Sequence, residues 1–126
     1  MSTVAGPGDH TLLCDGRPVA PLIVADTPFA RGRGLLGTSG VVGAMWLNPC
    51  SSVHMLGMRY PIDVATLDRD GLVLDVRTLR PWTGVTWPRL RARTTVEAAE
   101  GFLAAHGIAV GSRLAVGARG PRPEPQ

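Results

Sequence analysis

The chain has 126 residues, a formal charge of +3, 44% hydrophobic and 18% charged residues. That balance excludes a disordered chain and describes one domain long enough to bury a core without disulfides or metals. The charge excess is small, all thirteen basic residues are arginine with acids interleaved among them, and no apolar run nears the roughly 18 residues of a bilayer span, so neither nucleic-acid binding nor membrane insertion is expected.

Sixteen glycines and eleven prolines make the chain turn often and exclude long helices. Residues 1–10 are Gly/Pro-rich and are expected to form a flexible N-terminus. They carry neither a basic stretch nor an apolar one, so no secretory signal is visible. A cytoplasmic setting is expected, in which Cys14 and Cys50 stay reduced. Residues 12–25 read as two strands around Asp15-Gly16, a two-residue hairpin signal. Pro18 and Pro21 lack the donor a central strand needs, so the second strand should lie at an edge or begin after Pro21. Asp26 and Thr27 ahead of Pro28 start a helix. It should run over residues 28–36 and stop at Gly37, with Phe29, Leu35 and Leu36 facing inward.

From Gly43 the period changes to that of strands. Residues 44–48 are extended, with Met45 and Leu47 on one face and Trp46 on the other. Residues 52–56 and 62–67 are further extended runs, the turn Asp68-Arg69-Asp70-Gly71 follows, and residues 72–77 return antiparallel. Pro81 and Pro88 bracket a loop holding Trp82 and Trp87. A strand is expected over residues 91–97, placing Arg89, Arg91 and Arg93 on one face. A short helix over residues 99–106 follows, ended by Gly107, then a last strand over residues 113–116. Residues 117–126 read as a disordered Pro/Arg-rich tail. The expected fold is therefore mainly β (α+β): one compact, β-barrel-like domain over residues 11–116, with about seven strands and two short helices. Closure, or near closure, would remove the edges that short strands leave.

The punctuation carries a family resemblance. Ala25-Asp26-Thr27 with Arg31 and Gly34-Leu35-Leu36, then Gly43 with Met45-Trp46-Leu47, Pro61-Ile62-Asp63-Val64, Val96-Glu97 with Gly101, and Gly107-Ile108 with Gly111 follow in series. Together, over about residues 22–116, they resemble the DUF192 (UPF0127-like) family of uncharacterised proteins. The resemblance implies a small, mainly β fold with no established activity and no catalytic residues to carry over. Two places depart from the common pattern. An aromatic-rich run is replaced by Val53-His54-Met55-Leu56-Gly57-Met58, and a common Gly-Asp pair by Gly111-Ser112.

The chemistry must then be argued from side chains. Residues 50–64 gather Cys50, His54, Met55, Met58, Tyr60 and Asp63. Asp63 lies between Ile62 and Val64, so its carboxylate must find donors or carry a desolvation cost of several kcal/mol. Arg31, Arg59 or the backbone of the first helix are the expected partners. A ligand pocket is expected near His54 and Asp63, with Trp82 and Arg31 contributing. Glu97 reads as a rim acid or a partner of Arg91 or Arg93. The leading expectation is a non-enzymatic binding or accessory module, monomeric, recognising a small molecule or a protein segment and needing no cofactor. The alternatives are an enzyme using Cys50 or His54, with Asp63 or Glu97 assisting, and a soft-metal (Cu or Zn) protein using Cys50, His54 and Met58.

Overall fold

A computed structural model describes residues 3–118. Alternating and fully apolar runs fold into nine strands, and the two short helices sit where the capping signals lie. The order is β1 (Val4–Ala5), β2 (His10–Cys14), β3 (Arg17–Ala25), α1 (Pro28–Arg33), β4 (Gly40–Val41), β5 (Ala44–Leu47), β6 (Ile62–Leu67), β7 (Val73–Leu79), β8 (Thr94–Ala99), α2 (Phe102–Ala105) and β9 (Leu114–Gly117). Seven strands form one sheet in the order β7-β6-β8-β5-β3-β2-β9, antiparallel except for β3–β5. The mainly β architecture agrees with the sequence; the barrel does not. The sheet stays open: its edge strands β7 and β9 share no ladder and meet through an isolated bridge between Leu72 and Arg113 and a few backbone hydrogen bonds beside it.

The β2–β3 turn has both Asp15 and Gly16 at positive φ, as a two-residue hairpin matching strand twist requires. Contrary to the edge expectation, β3 starts at Arg17 and lies inside the sheet. The prolines are tolerated because β5 pairs only with residues 22–25, so Pro18 and Pro21 have a strand neighbour on one side alone. The N-terminal segment, expected to be flexible, contains β1, which pairs in parallel with β4. Of the expected tail, β9 takes in Gly117, and residues 119–126 lie outside the described ones.

Both sheet faces are covered, which is why β6 is buried at all six positions rather than at alternate ones. One face packs Leu12, Leu22, Ala65, Leu67, Val96 and Ala98 under α2 and Ile108. The other packs Met45, Leu47, Ile62 and Val64 against Leu35, Met55 and Met58. Strand registers set which residue faces where: Asp63 lies opposite Ala98, and Val64 opposite Glu97. Alternation therefore sends the two acids to opposite faces.

Helix α1 begins where the sequence places it, with the Thr27 hydroxyl accepting from the Ala30 N–H at 3.0 Å, but ends early, at Gly34. Of the three residues expected to face inward, only Leu35 is buried; Phe29 is 77% exposed and Leu36 is exposed too. Residues 52–56 form no strand. They lie along residues 82–86 through Met55 N–H to Gly84 O (2.9 Å), Thr86 N–H to Val53 O (2.9 Å) and the bridge His54–Val85. This fastening drives Met55 and Met58 into the core as filler. No helix among the described residues is long and apolar enough to cross a membrane.

Candidate functional site

Asp63 is buried, 4% exposed, and fully engaged. Its carboxylate accepts from the Thr78 hydroxyl at 2.7 Å, the Gly101 N–H at 3.1 Å and the Leu103 N–H at 3.3 Å. The expectation that it binds Arg31, Arg59 or the first helix is overturned. Asp63 holds the start of α2, because its register position faces that helix and not α1. Gly101 brings no side-chain cap of its own, so the carboxylate two strands away in sequence supplies the missing acceptor.

The expected grouping of His54, Asp63 and Trp82 does not form. Asp63 lies on the α2 face, and Trp82, 61% exposed, stands on the outer loop with Trp87, 75% exposed. The loop is held by Trp82 N–H to Met55 O at 2.9 Å. The arginine stripe is also absent. Residues 89–93 turn instead of extending, with Ala92 N–H bonded to Arg89 O. Arg91 pairs with Asp68 at 3.2 Å, Arg89 approaches Asp75 at 4.0 Å, and Arg93 donates to the Leu90 and Ala92 carbonyls.

A different set converges. On the face opposite α2, a cleft of about 350 Å³ is lined by Arg31, Gly34, Cys50, His54, Met58 and Glu97, among others. The end of α1 and the segment after it form one wall and residues 49–58 the other, with β8 beneath. Three of the sequence-predicted residues, Arg31, Cys50 and His54, thus share a site, as does the weaker candidate Met58. At its floor is Glu97, 6% exposed, on β8. Burial pushes its carboxyl up to about 7, offset in part by a hydrogen bond from the Leu35 backbone. Its Oε1 is buried and has no hydrogen-bond partner. The covering backbone is held in place by Thr38, whose hydroxyl donates to Leu35 O at 2.6 Å and meets the Tyr60 hydroxyl at 2.7 Å. Burial raises the Tyr60 hydroxyl, and the nearby Glu97 charge adds to that.

Gly34 explains how the wall approaches so closely. It ends α1 at φ +53°, and a β-carbon there would lie 2.9 Å from Glu97 Oε1. Sequence reasoning took Glu97 for a rim acid or an arginine partner and so missed the floor of the site. The available signal was a single acid in the strand Thr-Thr-Val-Glu-Ala-Ala, whose neighbours leave it nothing to pair with.

The thiol and imidazole on the rim are each hydrogen-bonded to the backbone and not to each other. Cys50 Sγ donates to Ser52 O at 3.3 Å, and His54 Nδ1 accepts from Leu56 N–H at 3.3 Å. Both cysteines are free: Cys14 is buried in β2 and Cys50 lies on the cleft. Among the described residues no three His, Cys, Asp or Glu side chains converge as metal ligands. A second cleft, of about 330 Å³, lies by the Asp68–Gly71 turn. Its carboxylate is satisfied, because Asp68 already accepts from Asp70 N–H, Leu72 N–H and Arg91.

The chain resembles UPF0127 proteins of archaea. It is 39% identical over 64 residues to a UPF0127 protein of Pyrococcus furiosus, covering 51% of this chain and 54% of that one. A UPF0127 protein of Pyrococcus horikoshii is 32% identical over 84 residues, covering 63% and 72%. The match spans about half the length of the Pyrococcus furiosus relative. The fold is shared with a protein of unknown function from Novosphingobium aromaticivorans, at TM-score 0.71 and 18% identity over 83% of each chain. A structure from Sinorhizobium meliloti gives 0.70 and 17%, over 85% of this chain and 92% of that one. The family model described as "Uncharacterized ACR" matches residues 13–116, nearly the whole folded unit, and the chain belongs to the DUF192 family.

Proposed function

We propose that this protein is a small-molecule binding domain, and that its ligand seats a hydrogen-bond donor or a cationic head on Glu97 Oε1. One observation carries the reading: Glu97, a residue that lines an open cleft, holds a buried carboxyl oxygen with no hydrogen-bond partner. Leaving such an atom unpaired costs about 1–3 kcal/mol, more when it is charged. An ammonium or amide N–H entering the cleft would recover that cost. The cleft lies at the small end of ligand pockets, which span roughly 300–1,000 Å³, so it suits a compact molecule over a dinucleotide. The Cys50 and Ser52 contact supports binding over thiol catalysis, since the thiol proton is directed at a carbonyl.

The test is a calorimetric titration of the full chain with 3-methylbutylamine at pH 6 and pH 8. With the Glu97 carboxyl near 7, affinity for the ammonium should rise roughly tenfold between these values as the carboxylate ionises. Arg31, Arg33, Cys50 and His54 also line the cleft, and Tyr60 lies within electrostatic range of Glu97. The pH slope is therefore credited to Glu97 only when Glu97→Gln removes it. An amine that fails to bind, or whose affinity for the Glu97→Gln variant still rises between pH 6 and pH 8, rejects the reading.

A further inference from the structure

The cleft holds a second unused group. Arg31 is half-buried and lines the same cleft as Glu97, yet the ion pairs found among the described residues are Arg77–Asp75, Arg89–Asp75 and Arg91–Asp68. A guanidinium and a carboxyl that border one small cavity without closing on each other present two opposite charges to whatever enters. The same cleft is also lined by apolar side chains, among them Leu36, Leu47, Val53 and Met58. Leu47 and Met58 belong to the core beneath and cannot swing away.

We infer that the ligand class is a free α-amino acid with an aliphatic side chain, its ammonium on Glu97, its carboxylate on Arg31 and its side chain against Leu47, Val53 and Met58. This inference rests on the reading of Glu97 given above. A guanidinium recognises a planar carboxylate through paired N–H donors, which an ammonium ligand alone would leave unused. Size agrees, because a cleft of about 350 Å³ lies at the low end of ligand sites and suits a compact molecule such as an amino acid. Recognition of both ends also gives discrimination: a molecule lacking either end leaves one buried or half-buried charge unmatched.

Three matched probes separate the two ideas. L-leucine carries both charges, 3-methylbutylamine only the ammonium, and 4-methylpentanoate only the carboxylate. Each is titrated into the full chain at pH 8, with amide shifts of residues 31–36 and 97 as the site readout. L-leucine should bind about tenfold or more tightly than either half-probe. Arg31→Met should erase the advantage of L-leucine over the amine, and Glu97→Gln its advantage over the carboxylate. Should the amine bind as well as L-leucine, with Arg31→Met neutral, the amino-acid inference fails and the binding reading stands. Should no probe shift the site amides, both fail. A folded variant is established by an unchanged spectrum away from residues 31–36, 49–58 and 97.

Discussion

Two buried acids on adjacent strands end in opposite circumstances. Asp63 on β6 faces α2 and accepts three hydrogen bonds, whereas Glu97 on β8 faces the cleft and leaves one oxygen with none. Strand pairing sets them only one register step apart, so burial alone does not separate their roles. What separates them is the cover. Over Asp63 the chain lays the N–H groups of a short helix; over Glu97 it lays a glycine-ended turn that comes close without donating to Oε1. A buried charge that is satisfied holds a fold together, and one that is not leaves a place for something else.

Breaking the satisfied side should have the largest effect. Asp63→Ala leaves the Gly101 and Leu103 N–H groups without an acceptor, and should lower stability by about 2–4 kcal/mol in chemical denaturation. The orphaned side should register through pH. The Glu97 carboxyl ionises near 4.5 when unfolded and near 7 when folded, so between these values the native state holds the extra proton. Stability should therefore fall as pH rises from about 4.5 to 7, by about 3 kcal/mol in all, and then level off. Glu97→Gln should flatten that stretch of the stability profile, and an unchanged slope would show that the acid is not buried as described. The smallest effect belongs to the cover. Gly34→Ala forces a side chain into a positive-φ position against Glu97 Oε1, and should cost about 1–2 kcal/mol while narrowing the cleft.

Much of the scaffold was legible in the sequence because it is dictated locally. Asp15-Gly16 fixes a turn, Thr27-Pro28 starts a helix, and the apolar stretch from Ile62 to Leu67 is a strand wherever it is placed. The region around the site was less legible because its geometry depends on distant partners. Residues 52–56 look extended but pair with residues 82–86 through a few bonds and one bridge. Leu36 and Phe29 fit a helix interior by spacing, yet α1 stops before it can bury them. The burial of Asp63 could be read from its apolar neighbours. That its donors come from residues 78, 101 and 103, or that Glu97 has none for one oxygen, depends on which strands meet across the sheet.

The parallel pairing of β3 with β5 has a consequence for how this molecule can change. Parallel neighbours cannot be joined by a tight hairpin, so the chain must make a long return between residues 26 and 43. That detour is what carries Arg31, Gly34 and Leu36 to the cleft. Surface connections tolerate insertion and deletion far better than strands do. Lengthening or shortening the detour could therefore re-tailor what the cavity admits without re-registering any of the seven strands below it.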